Sequence, residues 1–154
     1  MIYKFRLLSP EQENFFADIE VKATQSFLEF HTCIQQTFNY DEGHIASFFL
    51  CDENWEKEME ITLFDMNGDE SHSNTTMDSI KIAQSIIDLH QKLLYVYDFF
   101  SERAFFIELI DRYNEDINGT YPKCIAIKGE IPQQIAFDEG GFDDIDLDID
   151  FDEK

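Results

Sequence analysis

The stretch Thr24–Tyr40, TQSFLEFHTCIQQTFNY, carries the clearest helical pattern in the chain. Thr24 or Ser26 can cap the helix, since a hydroxyl there accepts a hydrogen bond from an otherwise unpaired backbone N–H. Apolar side chains then recur at steps of three and four residues, at Phe27, Phe30, Ile34 and Phe38. This spacing places them on one face, so the stretch predicts an amphipathic helix that packs against a sheet.

Segments on both sides of this helix predict strands. Ile2–Leu8 and Phe15–Ala23 alternate between apolar and polar residues and indicate a hairpin. Ser79–His90 has helical spacing and predicts a second helix. Five later segments are typical of strands: Ser47–Glu53, Glu58–Met66, Leu93–Phe100, Arg103–Tyr113 and Lys123–Gly129. We therefore expect an α+β fold with about two helices, six to seven strands in a mostly antiparallel sheet, and a β-grasp-like strand–strand–helix–strand start.

Charge limits the classes of partner. The chain has 154 residues and a formal net charge of −22. Residues from Asp138 onward carry nine acids and one lysine, so the preceding residues keep a net charge of −14. Direct binding to nucleic acid requires clustered lysine and arginine, and the 11 basic residues are scattered. The charge also disfavours anionic membranes, and the expected partner is a protein with a basic or apolar groove.

The C-terminal end is distinct from the rest of the chain. We expect one α+β domain over 1–137 and an acidic, disordered tail over 138–154. Aspartates in the tail alternate with four apolar residues, Ile145, Leu147, Ile149 and Phe151. A tail that only adds solubility does not need bulky apolar side chains, so these four are candidate docking residues. A merely solubilising tail is the alternative.

The cysteines indicate a reducing compartment. Cys33, Cys51 and Cys124 form an odd set without a CxxC pair, and no apolar signal segment begins the chain. We therefore expect a cytoplasmic protein. No metal or cofactor is expected, because zinc needs close pairs of N or S donors that the spacing does not offer.

Several motifs resemble the plasmid pRiA4b ORF-3-like family over about residues 2–135. In the helix at Thr24–Phe38 they are the Thr-Phe start, the apolar-His pair and the Ile-Gln pair. After the helix come His44, the run LLYVYDF at Leu93–Phe99 and the run YPKC at Tyr121–Cys124. The resemblance implies a bacterial domain, often associated with mobile elements, that has no established activity. This chain is a diverged member, because many relatives follow Tyr-Asp-Phe with Gly-Asp-x-Trp and a histidine, where it has Phe100-Ser101-Glu102-Arg103.

Three polar residues are candidates for function. Asp98 lies among aromatic residues and could act as a general acid or base, although an ion pair with Arg103 across the turn explains it more simply. His44 lies in a loop beside a glycine, where functional residues are common. His31 lies on the helix and is expected to be buried and hydrogen-bonded.

Three functions remain open at this point. The first is a non-catalytic binding or adaptor domain that acts through protein–protein contacts. The second is an enzyme of unknown reaction that uses Asp98 and His44, with His31 as a further candidate, although no catalytic motif accompanies them. The third is an acidic mimic of nucleic acid that occupies a nucleic-acid-binding protein.

Overall fold

A computed structural model describes residues 1–64 and 75–135 of the chain. The elements in chain order are β1 (Ile2–Leu8), β2 (Phe16–Lys22), α1 (Phe27–Phe38), β3 (Ser47–Cys51), β4 (Lys57–Thr62), α2 (Ile82–Ser85), β5 (Lys92–Asp98), β6 (Arg103–Tyr113) and β7 (Lys123–Lys128). The strands form one sheet in the order β4-β3-β5-β6-β1-β2-β7, and every neighbouring pair is antiparallel. The predicted α+β class and antiparallel sheet are confirmed.

Helix α1 begins where its sequence directs. Ser26 Oγ accepts a hydrogen bond from the backbone N–H of Glu29, and the Glu29 carboxylate accepts one from the N–H of Ser26. This reciprocal pair satisfies two N–H groups that the first turn leaves unpaired. Asn39 ends the helix in the left-handed conformation, with φ of 58°. Of the two predicted caps, Ser26 is the one used.

The core lies between α1 and one face of the sheet. Phe30 is fully buried, with its ring 4.9 Å from that of Phe5 on β1 and 5.2 Å from that of Phe48 on β3. Tyr95 on β5 is also buried and packs against Phe48. One helix thus joins strands from both halves of the sheet.

The second helix is much shorter than the predicted Ser79–His90. It has a single turn, Ile82–Ser85, and Ile86 is already extended. The side chain of Gln91 accepts hydrogen bonds from the N–H groups of Ile87 and Asp88, which replaces the bonds that a longer helix would make. His90 then has φ of 71°, which no α-helix contains. The hydrogen bonds to the Gln91 side chain therefore end the helix earlier than the apolar spacing predicts.

Candidate functional site

A surface depression of about 520 Å³ lies at the end of the β5–β6 hairpin. Its walls come from three separate stretches: 43–45 before β3, 97–101 at the end of β5 and in the turn, and 134–135 near the end of the described chain. The antiparallel pairing of β3 with β5 brings the first two stretches together, since Ser47 lies opposite Val96. The fold therefore builds a concave surface from residues far apart in sequence.

Two of the predicted polar residues meet in this depression. His44 and Asp98 both line it. The imidazole Nε2 of His44 lies 3.5 Å from a carboxylate oxygen of Asp41, and its side chain is partly exposed. Asp98 accepts a hydrogen bond from the backbone N–H of Ser101, which closes the turn. The sequence named both residues but did not indicate that one cavity contains them.

Arg103 is held in place rather than free. Its guanidinium donates to Asp98 at 3.3 Å, which is the predicted ion pair across the turn, and also to both carboxylate oxygens of Glu11. It donates further to the backbone carbonyl oxygens of Gln133 and Gln134. Hydrogen bonding to Glu11 is the main reason that the pKa of Arg103 lies above its ordinary value. Arg103 therefore fastens residues 133–134 to the hairpin and so shapes one wall of the depression.

Tyr97 lines this depression, and its hydroxyl is buried. The neighbouring Tyr40 packs its ring 5.5 Å away but donates its own hydroxyl to the carbonyl of Pro132. Burial raises the pKa of Tyr97 to about 12, against weaker opposing effects from the positive charge of Arg103 and a hydrogen bond with Tyr40, so the phenol is protonated at neutral pH.

The rim of the depression is apolar and exposed. Phe100 in the turn is 99% exposed, and Phe99 beside it is 44% exposed. Ile45 and Ile135, on the other two stretches, are 43% and 40% exposed. Single exposed apolar residues are normal on protein surfaces, but several around one concavity are typical of an interaction site. These four residues were not among the candidates that the sequence indicated. One sign of the exposed phenylalanines was present in the sequence. Phe99 and Phe100 follow Asp98 directly, at the point where the alternation of the strand ends.

His31 lies apart from the depression. It is buried on α1, with Nδ1 2.8 Å from the hydroxyl oxygen of Tyr95. Burial lowers its pKa to about 4, so it is neutral at neutral pH. The expectation of a buried, hydrogen-bonded histidine is confirmed.

This burial predicts a pH dependence of stability. The pKa of His31 is lower in the folded chain than its ordinary value of 6.5, so below pH 6.5 the unfolded chain gains a proton that the folded chain does not. The free energy of unfolding should therefore fall by about 2 kcal/mol from this residue between about pH 7.5 and about pH 5. Urea unfolding of the parent and of His31→Gln at both pH values measures it. Because the variant has no titrating group here, an equal fall in both proteins would contradict the assignment.

Burial disfavours the reactive thiolate form at all three cysteines. Burial raises the pKa of Cys33, Cys51 and Cys124, in the case of Cys51 to about 11. A thiol with a raised pKa is a poor nucleophile at neutral pH. Within the described ranges, no three His, Cys, Asp or Glu side chains lie close enough together to hold a metal ion.

Comparison with known proteins places the chain in a family. The family model for plasmid pRiA4b ORF-3-like protein matches residues 2–146, and the chain belongs to this family. The crystal structure of a protein of unknown function from Methanosarcina mazei Go1 is similar, with a TM-score of 0.67 and 20% sequence identity over 82% of this chain and 68% of that one. At that identity the likeness supports the fold alone. No protein with a curated description matches significantly.

Two other expectations from the sequence concern the C-terminal tail and membranes. The predicted docking residues Ile145, Leu147, Ile149 and Phe151 lie outside the described residues, as does the whole of 138–154. In the part of the chain that is described, no helix is long and apolar enough to cross a membrane.

Proposed function

We propose that this chain is a non-catalytic binding or adaptor domain that acts through protein–protein contacts at the turn surface. We define the turn surface as Ile45, Phe99, Phe100 and Ile135 together with the depression that they surround. The observation that carries the proposal is the near-complete exposure of Phe100 beside a half-exposed Phe99. Aromatic anchors dominate the energy of many protein interfaces when a partner covers them.

Electrostatics support a partner with a basic surface. The net charge of −14 that precedes Asp138 attracts a positively charged protein and speeds its association. The acidic tail is a second contact in this proposal, with Ile145, Leu147, Ile149 and Phe151 covering an apolar groove on the same partner. Members of the family are often associated with mobile elements, and the proposal extends this association to the present chain.

A capture experiment with matched variants tests the proposal. The double variant Phe99→Ser/Phe100→Ser should capture about one tenth or less of the partner that the parent captures from a lysate. The reason is that losing two anchors lowers the binding free energy by about 1.4 kcal/mol or more. The control is Ile117→Ser, since Ile117 is 91% exposed in the separate loop after β6. If the double variant and the control capture equal amounts of partner, the turn surface is not the docking site.

Removing residues 138–154 from the same experiment tests the tail. The proposal expects weaker capture and a smaller dependence on salt, since the tail contributes both charge and apolar contacts. Replacing the four apolar tail residues by serine separates docking from charge alone. A nucleic-acid mimic would tolerate that replacement, whereas an apolar docking segment would not.

The enzyme alternative has one observation in its favour. His44 and Asp98 line the same depression, as a pair of proton-transferring residues would require. Against it, Asp98 is already engaged by Arg103 and by the turn backbone. An enzyme would show turnover that is lost in His44→Gln while partner capture is retained.

A further inference from the structure

Strand β7 is an open edge of the sheet. It pairs with β2 on one side and is the last strand in the sheet order, so no strand among the described residues lies on its other side. Such an edge presents a row of backbone N–H and C=O groups with which another strand can pair. Ile125 and Ile127 on β7 are each nearly half exposed. These features favour the addition of a further strand.

The two faces of β7 differ in chemistry. Lys123 lies opposite Glu20 on β2, and Lys128 lies opposite Phe16. Since Glu20 and Phe16 are four residues apart in one strand, both lysines lie on the same face of the sheet. The register shift within this pairing accounts for the odd spacing of the two lysines. Ile127, next to Lys128, lies on the other face, so β7 offers cations on one face and an apolar residue on the other.

Charge distinguishes β7 from the opposite edge strand, β4. Strand β4 carries one lysine and two glutamates, whereas β7 carries Lys123 and Lys128 and no acid. Lys123 has the carboxylate of Glu20 at 4.0 Å, and Lys128 is exposed. An acidic segment is therefore attracted to β7 and repelled by β4.

The described chain ends at a place from which the tail can reach this edge. Residues 129–135 already cross from the end of β7 to the depression, which Gln134 and Ile135 line. The longer stretch 136–144 therefore has enough length to cross back. A segment that arrives beside Lys128 and continues toward Lys123 runs antiparallel to β7, as every neighbouring pair of strands in this sheet does.

We infer that residues 145–151 of this chain add to the open edge of β7 as an eighth, antiparallel strand when no partner is bound. The alternation of the tail fits both faces of β7. In an extended strand, Ile145, Leu147, Ile149 and Phe151 share one face and the aspartates between them share the other. The apolar residues then lie on the face of Ile127, and the aspartates lie beside the two lysines. Repulsion among the aspartates disfavours this strand by itself, so it forms only with the lysines and the backbone of β7 beside it.

This contact adds a regulatory step to the proposed function. A partner that takes up the apolar tail residues must first draw them away from β7. The edge therefore holds the tail back until a partner offers stronger contacts.

Amide hydrogen exchange in the ¹⁵N-labelled full chain tests the added strand. Alternate amides of residues 123–128 should exchange about tenfold or more slowly in the parent than in Leu147→Ser/Ile149→Ser, because the added strand accepts hydrogen bonds from them. This variant keeps every aspartate, so charge does not explain a difference. Amides of β1, in the interior of the sheet, report whether the variant is folded. Equal exchange at 123–128 in the two proteins would overturn the inference.

Lysine variants test the charge contacts in the same way. Lys123→Gln/Lys128→Gln should speed exchange at 123–128, and added salt should speed it in the parent. The matched control is Lys57→Gln/Lys92→Gln, which removes the same charge from β4 and β5 and should leave exchange at 123–128 unchanged. Equal effects of the two double variants would contradict the placement of the tail on β7.

Carbodiimide crosslinking identifies whose tail lies on the edge. This reagent joins a lysine amine to a carboxylate in contact with it, and the sample is an equal mixture of ¹⁴N- and ¹⁵N-labelled full chain. We expect links from Lys123 or Lys128 to the tail aspartates, each within one isotope. Links of mixed isotope would assign the added strand to a second copy, and equally frequent links to Lys57 would mean that the tail has no preferred edge. Either result would overturn the inference.

The outcome is separate from that of the proposed function, because these samples contain no partner. If they fail while capture still depends on Phe99 and Phe100, the turn surface stands and the strand on β7 does not. If capture does not depend on those residues while the β7 amides are protected, the proposed function is wrong and this inference stands.

Discussion

Phe30→Ala is expected to lower the free energy of unfolding by about 4 kcal/mol, within the range of about 3 to 5 kcal/mol for large core truncations. Phe30 is fully buried, and its ring contacts Phe5 on one half of the sheet and Phe48 on the other. Truncation therefore leaves a cavity at the point where α1 joins both halves, and the neighbouring rings cannot all move to fill it.

Urea denaturation followed by circular dichroism measures this change. The matched control is Phe100→Ala, a change of the same chemistry at a residue that is 99% exposed, which should alter stability by less than about 0.5 kcal/mol. A loss below about 1 kcal/mol for Phe30→Ala would show that the helix does not hold the sheet together in this way.

Arg103→Met is expected to lower the free energy of unfolding by about 3 kcal/mol, because it leaves two carboxylates and two carbonyl oxygens without their shared donor. The guanidinium is largely buried and bonds Glu11, Asp98, Gln133 and Gln134. Methionine keeps much of the side-chain volume, so the loss reports on charge and hydrogen bonding. Resonances of residues 133–135 should also shift, since their wall of the depression loses its anchor.

Two further variants define what Arg103 contributes. Arg103→Lys should recover little of the loss, because one ammonium cannot reproduce the spread of donors that a guanidinium offers. Arg112→Met is the control: Arg112 is exposed and donates to the carbonyl of Ile87, so its loss should cost less than about 1 kcal/mol. Equal losses at positions 103 and 112 would contradict the role of Arg103 as the anchor of this end of the sheet.

The fold was largely predictable because its signals are local. Alternation in β1 and the three- and four-residue spacing of α1 each report on residues that are neighbours in sequence. The length of α2 was not predictable in this way. The side chain of Gln91 ends that helix by bonding the N–H groups of Ile87 and Asp88, and apolar spacing does not report on such a bond.

The candidate site was predictable only in part. Sequence reasoning named His44, Asp98 and Arg103 from their residue types and neighbours. It could not show that the first two share a depression, because that depends on strand pairing between distant segments.

Site-specific photocrosslinking shows whether a protein partner docks on the turn surface. Benzoylphenylalanine is placed at position 100 in one protein and at the equally exposed position 117 in another, and both are irradiated in the same lysate. We expect a discrete adduct from position 100 that is absent from position 117 and is competed by unlabelled parent but not by Phe99→Ser/Phe100→Ser. Identical adducts from both positions, or none from position 100, would contradict it.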